Sequence, residues 1–143
     1  MSAEAIIAEL ATKARIAART LSTATGTERK SALGVIALAI ESRSAEILAA
    51  NEIDMQSARD EQMHPQLQDR LLLTEERIKG IAGGARQVAA LADPLGRTLR
   101  ESTLENGLEL KQISVPFGVI GMVYEARPNV TVDAAVILLM SGN

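Results

Sequence analysis

Apolar positions at three- and four-residue steps dominate the first two thirds of the chain, and an alternating, then continuous, apolar pattern dominates the last third. Ile6, Leu10, Ala14, Ala17 and Leu21 lie on one stripe, which predicts an amphipathic helix over residues 2–21. Gly26 and Thr27 interrupt that pattern, Thr27 is a good helix cap, and Leu33, Ile36, Ala37 and Ile40 predict a second helix. A third helix is expected over residues 45–59, with a restart at Asn51, and His64-Pro65 marks a turn.

Thr74, followed by Glu75 and Glu76, suits the unpaired amides and positive end of a helix running to Leu91. Gly80, Gly83 and Gly84 fall inside it, and each costs about 1 kcal/mol relative to alanine. The expectation is close approach of another backbone; a phosphate-cradling loop would have to follow a strand and open a helix, which these glycines do not.

Asp93-Pro94-Leu95-Gly96 ends the helical part, and the period then changes. Runs at 98–105 and 108–115 flank Asn106-Gly107, which predicts a hairpin closed by a two-residue turn. Such a ribbon is marginal alone and reads as a bridging or oligomerisation arm. Residues 117–124 are apolar at almost every position, as in a central parallel strand buried on both faces. Pro128 then opens an apolar helix through Met140, and Gly142 suits its left-handed end. That is half of a βαβ unit with no return strand, so the chain reads as cut short.

Composition narrows the class. The 143 residues are 47% apolar, yet Phe117 and Tyr124 are the only aromatics, so the core must be aliphatic and alanine-rich. A formal charge of −3, with no long single-sign run, argues against nucleic acid and membrane partners. Glu4 and Glu9 interrupt any signal-peptide core, and the expected location is cytoplasmic. There is no cysteine, hence no disulfide, thiolate metal site or cysteine nucleophile in these residues. His64, the only histidine, has no ligand partners in its neighbourhood; it reads as a surface loop residue, and no metal site is expected.

The loop from Glu125 to Thr131 lies at the carboxyl end of the expected strand, where open α/β sheets bind ligands. It offers a carboxylate, a guanidinium, an amide and a hydroxyl, which can orient an anion or steady an oxyanion but cannot start covalent chemistry. Asn129 is an oxyanion donor or a helix cap. Arg127 binds a substrate carboxylate or phosphate, or forms a structural ion pair with Glu125 or another carboxylate. Tyr124 reads as core with a satisfied hydroxyl.

The run Y-E-A-R-P-N-V-T-V-D-A-A at 124–135, preceded by V-P-F-G-V-I-G and followed by S-G-N, closely resembles the gamma-glutamyl phosphate reductase family, also called glutamate-5-semialdehyde dehydrogenase. I-L-A-A-N-E-I-D at 47–54, D-R-L-L-L-T at 69–74 and R-Q-V-A-A-L-A-D-P-L-G at 86–96 resemble it as well. Met140 departs from the lysine that many relatives carry before S-G-N.

The resemblance implies an α/β fold of the aldehyde dehydrogenase superfamily. Residues 1–97 would be the helical N-terminal part of the cofactor domain, 98–115 the hairpin arm, and 116–143 the first strand and helix of the Rossmann-like part. It also implies reduction of L-glutamyl 5-phosphate to L-glutamate 5-semialdehyde in proline biosynthesis, with NADP(H), through a cysteine thiolate that this N-terminal fragment lacks. On the same ground Asn129 is expected as oxyanion donor, Arg127 and Glu125 as substrate contacts, and Tyr124 and Pro128 as cofactor contacts. A homo-oligomer and glutamate 5-kinase are the implied protein partners. The competing readings are a non-catalytic helical module for oligomerisation or partner binding, and a complete small helical protein.

Overall fold

A computed structural model describes residues 2–125 and 127–143. Six helices and one hairpin follow in order: α1 (Ala3–Leu21), α2 (Gly26–Ser42), α3 (Ser44–Asp60), α4 (Pro65–Leu71), α5 (Glu75–Ala90), β1 (Thr98–Thr103), β2 (Glu109–Ile113) and α6 (Pro128–Met140).

The core is a three-helix contact of α2, α5 and α6. Residues Leu33 and Ala37, Ala82 and Ala85, and Val136 and Met140 are each at most 4% exposed and pack together. The small alanines let α2 and α5, the most extensive helix pair, run close together. A second cluster joins α3 to α4 through Met55, Ala58 and Leu71. Asn51 ties this layer to the start of α5: its Nδ2 donates to the Leu71 carbonyl at 2.9 Å, and its Oδ1 accepts from the Leu73 N–H at 2.7 Å. The expected restart of α3 at Asn51 does not occur; the helix is continuous, and this 5%-exposed side chain serves a neighbouring turn instead.

The cap of α2 is Thr25 rather than Thr27. Its hydroxyl accepts from the Glu28 N–H, and the Glu28 carboxylate accepts from the Thr25 N–H, a complete capping box. Gly26 is therefore the first helical residue, and a Cβ there would collide with the Asp93 carboxylate. His64 is exposed, as expected, but the turn it marks opens α4, which its own Nδ1 caps. The α1 stripe is present yet buries nothing: Ile6, Ile7, Leu10 and Ile16 are 45–64% exposed.

The hairpin forms with a different turn. Gly107 N–H donates to the Leu104 carbonyl, and Leu104 N–H donates to the Leu108 carbonyl, both at 2.9 Å, which makes a three-residue loop. Asn106 has no positive φ, whereas Gly107 does (+85°), so this is a type I turn with a glycine bulge instead of the two-residue turn. Every residue of both strands is exposed.

Residues 117–124 are not a buried strand. Phe117 is 94% exposed and Val123 fully so, and the only sheet among the described residues is the hairpin. An apolar run specifies burial but not the neighbour that provides it, and no segment among the described residues pairs with this one. What fixes its start is Asn143, whose Oδ1 accepts from the Gly118 N–H at 2.9 Å. Gly142 ends α6 as expected, at φ +74°, with Gly142 and Asn143 donating to the Leu139 and Leu138 carbonyls. A Cβ there would lie 2.9 Å from Leu95 Cδ1.

The glycines of α5 do not serve close packing. A Cβ at Gly80, Gly83 or Gly84 would meet nothing within 4 Å. Gly80 instead borders a cavity between α5, the start of α6 and the α4–α5 connection.

Candidate functional site

Pro128 sits in the first turn of α6, where its fixed φ suits a helix start and its missing N–H leaves no orphan donor. Arg127 is the N-cap residue and makes no side-chain cap bond. Asn129 therefore lies inside the helix, which overturns its reading as a cap. Its Nδ2 donates to Asp133 Oδ2 at 3.0 Å, one turn on. The Tyr124 hydroxyl and Thr131 Oγ1 are hydrogen-bonded at 2.6 Å, but Tyr124 is 44% exposed and so is not core.

Arg127, Pro128 and Asn129 border a cavity of about 460 Å³ between the start of α6 and the α4–α5 connection. Asp69, Arg70, Leu72, Leu73, Arg77, Gly80, Ile81 and Asp133 complete its wall. Charge is unevenly committed there. Arg77 is taken up by Asp69, with Nη2 2.9 Å from Oδ1, and by the Leu72 carbonyl at 2.7 Å. Neither Arg70 nor Arg127 forms an ion pair among the described residues, so the expected Arg127–Glu125 pair is not made. The Nε of Arg127 is buried without a hydrogen-bond partner among the described residues, a situation that costs free energy until an oxygen reaches it.

Glu125 faces elsewhere. It borders a second, mainly apolar cavity of about 260 Å³ with Met63, Leu67 and Leu71, and Arg70 and Arg127 border both cavities. The structure thus brings Arg127, Pro128 and Asn129 together and leaves Glu125 and Tyr124 outside that wall. Sequence reasoning missed Arg70 and Asp133. Asp133 carried a signal, as the one charged residue in helix α6.

Curated relatives sharpen this picture. The gamma-glutamyl phosphate reductase of Anoxybacillus flavithermus is 51% identical over 133 residues, 93% of this chain and 32% of the relative. That of Geobacillus thermodenitrificans is 50% identical over 135 residues, 94% of this chain and 33% of the relative. Among solved structures, gamma-glutamyl phosphate reductase from Thermotoga maritima matches with a TM-score of 0.91 at 40% identity, over 94% of this chain and 33% of that one. The Saccharomyces cerevisiae reductase matches with 0.89 at 31%, over 94% and 34%. Nearly the whole chain is similar to part of gamma-glutamyl phosphate reductase. It spans about a third of the length of the curated relatives it matches. No family model matches it.

The fold is accordingly the one the resemblance implied, that of the solved gamma-glutamyl phosphate reductases. The residues present do not form a dinucleotide cradle. Pro128 has no N–H to donate, the Tyr124 hydroxyl is occupied by Thr131, and no glycine-rich strand-to-helix turn occurs among the described residues. Tyr124 and Pro128 offer ring surface and not a diphosphate site. No helix among the described residues is long and apolar enough to cross a membrane.

Proposed function

We propose that this chain forms the corresponding part of a gamma-glutamyl phosphate reductase, which reduces L-glutamyl 5-phosphate to L-glutamate 5-semialdehyde in the cytoplasm as a step of proline biosynthesis. The observation that carries the proposal is 51% identity over 133 residues to a curated reductase, supported by the same fold in solved reductases. NADPH, when bound, supplies the hydride for that reduction.

The contribution of this chain is to bind and orient. Arg127 holds an anionic group of the substrate at the mouth of α6, where the helix dipole also favours negative charge. Asn129 retains a second amide N–H beyond the one given to Asp133, which is available to a developing oxyanion. Glu125 borders the apolar cavity at the edge of the substrate site. The thiolate that attacks the acyl phosphate and expels phosphate comes from other parts of the reductase, because these residues include no cysteine. The exposed hairpin is suited to pairing within a homo-oligomer.

The test is a chimera in which residues 1–143 replace the matching segment of the Anoxybacillus flavithermus reductase. Substrate-dependent oxidation of NADPH by the chimera, and none by the 143-residue chain alone, is the expected pair of results. A folded chimera without turnover overturns the proposal.

A further inference from the structure

The cavity at the start of α6 holds an arrangement that the reductase reading does not by itself assign. Arg70 and Arg127 border it with no ion-pair partner among the described residues, and the Nε of Arg127 is buried and unpartnered. Asp133 presents a carboxylate on the same wall, held by a single hydrogen bond from Asn129. The other charged pair on the wall, Asp69 and Arg77, is neutralised within itself. What remains on the wall is two arginines and one aspartate, around a space of about 460 Å³, within the range of small-molecule sites.

A simple anion would leave the Asp133 carboxylate facing it, and a simple cation would face two arginines. A zwitterion satisfies both. We infer that this cavity binds the α-amino-carboxylate end of the substrate, with Arg70 and Arg127 taking the α-carboxylate and Asp133 taking the α-ammonium. The inference rests on the reductase reading for the identity of the substrate and adds Arg70 and Asp133 as specificity-determining residues. Arginine suits the first role through its planar fork, and the positive end of α6 reinforces it. Asn129 acts as a positioning residue, because its amide fixes Asp133 one turn along the helix. Gly80, with no Cβ in the wall, keeps the space open.

The test is titration of the isotope-labelled chain, followed by backbone amide NMR shifts, with L-glutamate, glutarate, 4-aminobutyrate and inorganic phosphate as separate probes. L-glutamate should shift the amides of Arg70, Arg127, Asn129 and Asp133, and should bind about tenfold or more tightly than glutarate, which lacks the ammonium, or 4-aminobutyrate, which lacks the α-carboxylate. Asp133→Asn should abolish the preference over glutarate, and Arg70→Gln should cut the preference over 4-aminobutyrate. Equal binding of glutarate or phosphate, or shifts confined to other residues, overturns the inference. Both variants face the cavity and lie outside the buried core, so unchanged amide spectra without ligand verify that they fold. An active chimera together with no L-glutamate preference removes this inference and leaves the reductase reading. An inactive chimera with the preference intact removes the reductase reading and leaves an amino-acid site.

Discussion

Arg29 and Asp93 are 64 residues apart in sequence and meet through one nitrogen, with Nη2 2.8 Å from both carboxylate oxygens. The rest of the guanidinium is used too: Nε donates to the Met140 carbonyl at 3.1 Å, and Nη1 donates to the Ala24 carbonyl. One 4%-exposed side chain thereby ties the start of α2, the end of α6 and the turn after α5. Replacing Arg29 by methionine strands two carbonyls and a partly buried carboxylate. A loss of about 2–3 kcal/mol in urea unfolding is expected, whereas Arg43→Met, at an exposed pair, should leave the unfolding midpoint nearly unchanged.

The same contact sets a pH dependence. The Leu95 N–H, donating to Asp93, and then the Arg29 guanidinium hold the Asp93 carboxyl below its ordinary range, with burial opposing them. Glu28, bonded to the Thr25 backbone, and Glu41, bonded to Arg86, are lowered as well. A carboxyl that is more acidic in the folded state stabilises the fold above the unfolded-state value, and this contribution is lost as pH falls through the folded-state value. Stability should therefore hold at neutral pH and decline below about pH 4. Asp93→Asn should be less stable at pH 7 and should show a flatter acid limb in thermal unfolding between about pH 5 and 2.

Glycines in this chain divide by what surrounds them. Gly142 combines φ +74° with a Cβ position 2.9 Å from Leu95 Cδ1 and 3.0 Å from Pro116 Cγ. Gly83 is helical, and its Cβ position is open. Gly142→Ala should destabilise by about 1–3 kcal/mol, and Gly83→Ala should stabilise by up to about 1 kcal/mol. Melting temperatures of the two variants, measured side by side, check the opposite signs.

Asn51 provides a further case of a buried polar hinge. Its amide satisfies both the Leu71 carbonyl and the Leu73 N–H, so Asn51→Leu fills the space but orphans both groups. A loss of about 2–3 kcal/mol is expected in denaturant titration, with hydrogen-exchange protection lost first in α4.

Which of these features could be read from sequence follows from the range of the interactions involved. Helix stripes, the Thr74 cap, the Gly142 stop and the existence of the hairpin depend on neighbours within a few residues, and they appear where the pattern places them. The capping box at Thr25 was equally local but was hidden by Thr27, a similar residue two positions on. Residues 117–124 failed differently, because an apolar run states a need for burial and leaves the partner unspecified. The site was half legible. The motif at 124–129 pointed to Arg127 and Asn129, but Arg70 reaches the same cavity from α4, through a chain reversal that no local pattern encodes.

The most direct measurement is kcat/KM for L-glutamyl 5-phosphate in the chimera that carries residues 1–143 within the Anoxybacillus flavithermus reductase. A value within about tenfold of the parent is expected, since the matched segment has half its residues in common and the same fold. A chimera that folds and assembles like the parent yet turns over no substrate would contradict the assignment.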